Sequence, residues 1–441
     1  MANRGEIARR IIRACRALGI RSVAVYSEPD RGWPFVADAD EAVAIGASPA
    51  RESYLNIDVI LAAARRARAE AIHPGYGFLL ENWKFARACA EAGFVFIGPP
   101  WQAIQQMGDK VGARRLMAAA GVPVVPGSDG TVDTVDAARE WAERIGYPVI
   151  LKAAAGGGGI GMVTVAAPAA LDAAFASVQR RAQSAFGSGA VFLERYLVAP
   201  RHVEVQVFGD GQGRLVHLHE RECSIQRRHQ KLIEESPAPN LPAELKARLT
   251  AAAVAGARAV GYVNAGTMEF VLAGAELYFL EMNTRLQVEH PVTEEVTGVD
   301  LVQAQLRVAA GEPLPWHQDE IRQRGWSIEC RLYAEDPAKR FLPSPGRVNR
   351  LVLPDGPGIR WECGVAEGVE VSVHYDPLLA KLVASGATRE EAVARMTTAL
   401  DACVVDGVQT VIPFHRRVLR SAEFRAGRVH TQMVEQGAFN G

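Results

Sequence analysis

The chain has 441 residues, of which 49% are apolar and 22% charged, and its formal net charge is −1. This length allows two or three domains with sizeable cores, and the even charge balance excludes the basic surface that nucleic acid or an anionic membrane would select. The six cysteines are scattered, the start MANRGEIARR is too charged for a secretory signal, and no apolar run is long enough to cross a bilayer. These features predict a cytoplasmic protein with no nucleic-acid or membrane partner.

Helical and strand patterns alternate over the first 110 residues. Apolar residues at helical spacing from Ile7 to Leu18 predict a helix that stops at Gly19. RSVAVYS predicts a short strand and IDVILAAARRARAE a helix, while AIHPGYGF and FVFIGPP enclose a further helix. Such alternation predicts a parallel α/β sheet. Ligands bind beyond the carboxyl ends of such strands, which points to the loops YSEPD and HPGYGF.

A second unit begins near residue 108 with a helix, followed by strands YPVILKAA and AVFLERYL around a glycine loop. It continues with the long strand HVEVQVFGD, the hairpin TMEFVLAGAELYFLEMN and the helix DLVQAQLRVAAG. From about residue 325 the chain predicts short strands, SIECRLYAE and VEVSVHY, and a final helix, REEAVARMTTALDAC. We predict three domains, 1–107, 108–315 with a lid at about 124–197, and 325–441.

The hairpin carries a candidate metal site. If its turn has three residues and is centred on Ala275, Glu269 lies directly opposite Glu281. Two carboxylates about 5 Å apart across strands are destabilising unless a cation neutralises them, and Mg²⁺ prefers carboxylate and amide oxygens. Asn283, on the same face, is a third candidate ligand. A two- or four-residue turn would break the alignment and leave one glutamate in solvent.

The segment after the hairpin, EMNTRLQVEH, has a polar row. If it were a strand, one face would carry Glu281, Asn283, Arg285, Gln287 and Glu289. A straight strand would spread that row over roughly 26 Å, too far for one reacting centre. We therefore expect the strand to end near Arg285 and the chain to bend before Pro291, returning Glu289 toward the metal.

Lysines are scarce, and several of them fall in polar motifs. Only seven of the 49 basic residues are lysine, at positions 84, 110, 152, 231, 246, 339 and 381. An ammonium suits a phosphate oxygen as a compact point charge. Lys152 precedes the loop AAAGGGGIG, whose backbone N–H groups could converge on phosphates as a closing lid, or form an ordinary surface loop.

Two further motifs have ambiguous roles. RECSIQRRHQK contains Arg227, Arg228, His229 and Lys231, a basic cluster that is either solvated or attracts bicarbonate or phosphate. In IECRLYAEDP, Glu329, Arg331 and Tyr333 share a strand face, so Arg331 could simply pair with a structural carboxylate.

Together the motifs resemble one family over essentially the whole chain. ANRGEIA, AIHPGYGFL, MGDK, the GGGG loop, LERYL, RHVEVQV, RECSIQRRHQK, GTMEF, EMNTRLQVEHPVTE, ECRLYAEDP and FLPSPG resemble the biotin carboxylase component of biotin-dependent acyl-CoA carboxylases. The resemblance implies a mixed α/β and α+β chain with an ATP-grasp fold, a Rossmann-like N-terminal domain and a smaller C-terminal domain. It also implies that ATP phosphorylates bicarbonate to carboxyphosphate, whose CO₂ is captured by biotin.

The resemblance assigns a role to each matching residue. Glu269, Glu281 and Asn283 would bind Mg²⁺ or Mn²⁺, and Arg331 would stabilise the biotin enolate. Bicarbonate would lie against Lys231, Arg285, Gln287, Val288 and Glu289, with Glu289 as the base. Nucleotide would contact Lys110, Lys152, Gly158, Gly159, Glu194, Arg195, Tyr196, Leu197, His202, Gln226 and His229.

The resemblance also implies partners. No biotin-attachment motif of the AMKM kind occurs, so we expect biotin to arrive on a separate carrier protein. We also expect a homodimeric assembly that works with a carboxyltransferase subunit. The family's first strand precedes ANRGEIA and is missing here, which would expose apolar edges in the N-terminal sheet.

Three residues depart from the family's pattern, and two rival functions stay open. Ile160 stands where the family has Arg or Lys, Ala155 where it has Gly, and Leu80 where Ser is usual. The rivals are a non-catalytic paralogue that docks into a carboxylase assembly, and another ATP-grasp ligase that activates a carboxylate for an amine.

Overall fold

The structure is a computed structural model that describes residues 1–154 and 161–439. Residues 155–160, with the predicted contacts Gly158 and Gly159 and the departures Ala155 and Ile160, lie outside the described residues. Within the described ranges, no helix has both the length and the apolar character needed to cross a membrane.

The first hundred residues alternate strands and helices, as predicted. The strands are β1 (Val23–Tyr26), β2 (Glu41–Ala44), β3 (Ala71–Ile72) and β4 (Val95–Phe96), and the helices are α1 (Gly5–Ala17), α2 (Pro34–Asp38), α3 (Ile57–Arg66), α4 (Trp83–Glu91) and α5 (Trp101–Gly108). The strands are parallel, as predicted, but they form two separate pairs, β1 with β2 and β3 with β4, and not one sheet.

Residues 1 and 2 lie between the two strand pairs and touch both. The Met1 amino group donates to the Val23 carbonyl at 2.6 Å, and the Ala2 N–H donates to the His73 carbonyl at 2.9 Å. Ile20 and Val95, which are 43% and 44% exposed, line a cavity of about 710 Å³ beside Met1. Apolar side chains of β4 and of the loop after α1 are therefore partly exposed at this cavity.

The middle of the chain combines a small lid sheet with a large one. Its helices are α6 (Lys110–Ala119), α7 (Val135–Ile145), α8 (Leu171–Phe186), α9 (Ala243–Ala259), α10 (His290–Thr297) and α11 (Leu301–Ala309). Its strands are β5 (Val149–Ala153), β6 (Met162–Val165), β7 (Val191–Arg195), β8 (Arg201–Gly209), β9 (Leu215–Arg227), β10 (Gln230–Ser236), β11 (Asn264–Ala273) and β12 (Glu276–Asn283). The lid sheet has the order β6-β5-β7 and packs on α7 and α8 through its apolar face.

The remaining elements extend the large sheet. The strands are β13 (Trp326–Tyr333), β14 (Glu335–Asp336), β15 (Leu342–Pro343), β16 (Gly346–Arg347), β17 (Arg350–Val352), β18 (Ile359–Cys363), β19 (Glu370–Val371), β20 (Leu378–Gly386) and β21 (Val404–Asp406), and the helices are α12 (Arg389–Ala402), α13 (Ile412–Arg420) and α14 (Ala422–Arg425). Eight strands form one sheet in the order β12-β11-β8-β9-β10-β13-β20-β18. Because β10 pairs with β13, polar residues from distant parts of the chain share one sheet face.

The strand predicted for VEVSVHY is largely wrong. Only Glu370 and Val371 form a strand, and the chain then leaves the sheet. The hydroxyl of Tyr375 hydrogen-bonds to the Ser48 carbonyl at 2.6 Å, so a tertiary contact with the N-terminal region draws this segment away from β pairing.

Candidate active site

The hairpin β11–β12 places Glu269 directly opposite Glu281, as predicted, but by a different route. Its turn has two residues, Gly274 and Ala275, and not three. A β-bulge at Leu280 adds one residue to β12 and restores the alignment that a two-residue turn would have lost. The prediction of the turn is therefore wrong, whereas the predicted pairing is confirmed.

After the hairpin the chain bends as expected. Strand β12 ends at Asn283, two residues before the predicted end, and α10 begins at His290. Within the bend, the Arg285 guanidinium donates to the Asn283 side-chain oxygen at 2.8 Å and to the Gln287 side-chain oxygen at 2.7 Å. The polar row of EMNTRLQVEH is thus folded into a compact turn.

Lys231 lies at the centre of the site, with three buried carboxylates around its ammonium group. It donates to Glu204 at 2.5 Å, to Glu269 at 2.7 Å and to Glu289 at 2.7 Å. Burial alone would lower the pKa of Lys231, but these three negative charges outweigh burial and raise the pKa well above its ordinary value. The ammonium therefore joins the predicted metal hairpin to the predicted base.

Glu289 has a second cation on its other side. Arg331 donates to Glu289 at 2.9 Å and to Glu234 at 2.6 Å. Burial would raise the pKa of Glu289, yet Lys231 and Arg331 together hold it well below the usual range. Arg331 does pair with a carboxylate, as its alternative interpretation required, and one of its partners is the predicted base itself.

The basic cluster of RECSIQRRHQK is divided by the structure. Lys231 points into the carboxylates, and buried Arg227 pairs with Glu335 at 2.8 Å. Arg228 and His229 form the exposed turn between β9 and β10. The cluster therefore does not act as one surface.

Sequence reasoning missed Glu204, which is fully buried beside Lys231. Arg221, also fully buried, donates to Glu204 at 2.6 Å and to Gln206 at 2.8 Å. The alternation in HVEVQV contains the signal, because His202, Glu204 and Gln206 share one face of a strand whose other face is all valine. Polar residues that alternate with valine in a central strand indicate a buried site.

The oxygens of Glu269, Glu281 and Asn283 fit a hard divalent cation. Although Glu281 is exposed on its strand, desolvation of its carboxyl group and then the charge of Glu269 raise its pKa, so a cation between the two would offset a real repulsion. His202, Glu204 and Glu269 form another group of potential ligands. Lys231 already pairs with both carboxylates of that group, whereas Glu281 of the hairpin has no ion pair within the described residues, which favours the hairpin set for the metal.

The nucleotide-side residues lie on the lid and at its base. Glu194 in β7 accepts one hydrogen bond from Lys152 at 2.5 Å and another from Arg114 at 2.7 Å. Lys110 is the first residue of α6, and Leu197 packs beside a small apolar cluster.

The other predicted nucleotide contacts are dispersed. His202 lies 3.0 Å from Glu269, Gln226 is paired across strands with Lys231, and the Tyr196 hydroxyl accepts a hydrogen bond from Gln432. Arg195, at the end of β7, is partly buried.

A cavity of about 350 Å³ opens beside the cations. Its walls include Arg285, Val288 and Arg331 from the site, and Tyr76 and Phe78 from the predicted loop HPGYGF. The N-terminal domain therefore closes one side of the site.

Comparisons with known proteins are consistent along the whole chain. Three family models match: "Biotin carboxylase, N-terminal domain" at 1–104, "Carbamoyl-phosphate synthase L chain, ATP binding domain" at 109–317, and "Biotin carboxylase C-terminal domain" at 329–436. The chain is 52% identical to a biotin carboxylase of Halalkalibacterium halodurans, over 98% of this chain and 96% of that protein. It is 50% identical to the biotin carboxylase of Haemophilus influenzae, over 99% of this chain and 97% of that protein.

A solved structure shares the fold. The biotin carboxylase domain dimer of Hydrogenobacter thermophilus 2-oxoglutarate carboxylase, in complex with MgADP, ADP and bicarbonate, matches with a TM-score of 0.94. The two are 48% identical, and the match covers 99% of this chain and 96% of that one. The ATP-grasp architecture implied by the motifs is confirmed.

Proposed function

The chain belongs to the biotin carboxylase family, and we propose that it carboxylates biotin with ATP and bicarbonate at the cluster around Lys231. One observation carries this proposal. The Lys231 ammonium is 2.7 Å from both Glu269 and Glu289, so a phosphate bound at the hairpin and a bicarbonate bound at the base would share one cation. That arrangement supports phosphoryl transfer between the two.

Bicarbonate would bind next to Lys231 and Arg285. In this structure Lys231 hydrogen-bonds to Glu289, and Arg285 hydrogen-bonds to Gln287. Its negative charge would compete with Glu289 for the Lys231 ammonium, because both anions need the same donor. As Lys231 turns to the substrate, the pKa of Glu289 rises from its depressed value and the carboxylate becomes a better proton acceptor. Glu289 then takes the bicarbonate proton while the bicarbonate oxygen attacks the γ-phosphorus of ATP and ADP leaves.

ATP would rearrange a second ion pair. Lys152 is paired with Glu194, and a nucleotide phosphate offers that ammonium a stronger partner. Once Lys152 has left Glu194, one oxygen of Glu194 can accept a hydrogen bond from the adenine amino group, while Arg114 holds the other oxygen in place. Around these would lie the remaining predicted nucleotide contacts, Lys110, Gly158, Gly159, Arg195, Tyr196, Leu197, His202, Gln226 and His229.

Mg²⁺ or Mn²⁺, bound by Glu269, Glu281 and Asn283, would neutralise charge on the transferring phosphoryl group. The chain's own residues orient the two reactants. His202 and Lys231 contact Glu269, so they keep that carboxylate ionised and aimed along the hairpin.

Biotin would enter the 350 Å³ cavity. Carboxyphosphate would break its C–O bond there to give CO₂ and phosphate. The released phosphate would take the proton of biotin N1′, N1′ would attack CO₂, and Arg331 would stabilise the negative charge on the ureido oxygen. Glu234 and Glu289 hold that guanidinium at the cavity wall.

Biotin would be carried by a separate carrier protein that also serves a carboxyltransferase subunit, and the chain would act as a homodimer. The cytoplasmic location and the division into domains 1–107, 108–315 and 325–441 stay predictions.

The test is ATP cleavage by the purified protein, with and without bicarbonate and with and without free biotin. We expect cleavage that requires bicarbonate and that biotin accelerates. No cleavage by the folded protein at saturating ATP would support the non-catalytic paralogue, and acceleration by an amine in place of biotin would support another ligase.

A further inference from the structure

Lys381 is one of the seven lysines, and no motif discussed above gives it a role. It lies in β20, and its side chain is 0% exposed. A buried ammonium is costly unless it is paired and hydrogen-bonded. Its partners therefore show what the position is built for.

Three segments distant in sequence supply those partners. The Lys381 ammonium donates to the Val288 carbonyl at 2.8 Å and lies 3.4 Å from the Tyr76 hydroxyl. It also forms an ion pair with Glu6 at 3.3 Å. All three partners line the 350 Å³ cavity, and Lys381 lies behind that wall.

The hydrogen bond to Val288 acts on the base. The Val288 carbonyl belongs to the same planar peptide as the Glu289 N–H, so a donor on that carbonyl restricts how this peptide can rotate. At its other end, Glu289 is held by Lys231 and Arg331. The residue is thus fixed through its backbone by one cation and through its carboxylate by two.

We propose that Lys381 is a positioning residue for the bicarbonate site. It holds the turn 287–289 and the Tyr76 hydroxyl in register, so that Gln287 and Glu289 face the substrate. Because apolar residues of similar volume often stabilise a fold as well as a buried ion pair does, we assign this geometric effect to the pair. The inference rests on the proposed function and adds a residue to it.

The experiment compares steady-state kinetics of Lys381→Met, Lys381→Gln and a control, Lys246→Met. Lys246 also pairs with a buried glutamate, Glu220 at 2.9 Å, but it is itself partly exposed and does not line the cavity. We expect each Lys381 variant to raise the KM for bicarbonate at least tenfold and to leave the KM for ATP within twofold, because no predicted nucleotide contact within the described residues hydrogen-bonds to this turn. The control should leave both constants within twofold.

The outcomes separate this inference from the proposed function. If the wild-type protein shows no biotin-stimulated cleavage, the proposed function fails first. If it does, and the KM for bicarbonate in a folded Lys381 variant stays within twofold, or rises in parallel with the KM for ATP, the positioning role is wrong. Should Lys381→Met not fold, the neutral and shorter Lys381→Gln, which can still hydrogen-bond to Glu6, decides the question.

Discussion

Replacing Lys231 with methionine tests the charge balance of the site most directly. In the wild type its ammonium is shared by three carboxylates, of which Glu204 and Glu289 are fully buried and Glu269 is nearly so. Removing one partner of a buried ion pair costs about 3–5 kcal/mol, because the remaining charge is uncompensated. We therefore expect Lys231→Met to lower the free energy of unfolding by about 3–5 kcal/mol at pH 8.

The sign of the pH dependence follows from the same contacts. Lys231 lowers the pKa of each of the three carboxylates, so without it their folded-state pKa values rise. A carboxyl whose folded pKa lies above its unfolded pKa binds a proton on folding, which makes the variant relatively more stable as the pH falls from 8 toward 5. The deficit should shrink by about 1.4 kcal/mol per pH unit for each extra proton bound.

Urea denaturation of the wild type, Lys231→Met and Lys246→Met between pH 5 and pH 8 measures both effects. Lys246 is partly exposed and pairs with one buried carboxylate instead of three, so its loss should cost clearly less than the loss of Lys231. A deficit below about 1 kcal/mol for Lys231→Met at pH 8, or one that does not change with pH, would refute the view that this lysine balances the cluster.

Four further changes test other parts of the site. Glu289→Gln should lower kcat for bicarbonate-dependent ATP cleavage about 10²–10⁴-fold and leave the Kd for ATP, measured by calorimetry, within twofold. A weakening of ATP binding as large as the fall in kcat would contradict the role of Glu289 as base. Arg114→Met should raise the KM for ATP about tenfold, because Glu194 loses a charge-assisted hydrogen bond worth about 1.5–3 kcal/mol, while an unchanged KM would exclude that role. Burial lowers the pKa of His415 to about 4, so the folded protein keeps this side chain neutral. Its contribution to the free energy of unfolding is fully present above pH 6.5 and should fall by up to about 1.4 kcal/mol per pH unit toward pH 4. His415→Gln should flatten that part of the pH profile measured by urea denaturation, and an unaltered slope would contradict this prediction. Ile160→Arg should lower the KM for ATP by restoring the cation of the glycine loop, and a higher or unchanged value would count against that account.

Local patterns were enough for most of the elements and for part of the site. The alternation around 201–209 and the hairpin at 264–283 were readable because burial on a sheet imposes a period of two. The bend after β12 was also predictable, since a straight strand could not bring Glu281 and Glu289 to one centre. The turn of the hairpin was not, because a bulge at Leu280 compensates for a shorter turn, and local sequence does not distinguish the two.

What the sequence determined by itself was the inventory: which strands carry polar faces, and which residues, Glu269 and Glu281 among them, match the family. Only the tertiary structure decided how the charges are shared. It brings Lys231, Glu204 and Arg331 onto one sheet face through β8, β9, β10 and β13, and it places Lys381 behind Val288. The physical reason is that a buried charge must find its counter-charge in space, and in this chain most of those partners lie dozens of residues away along the backbone.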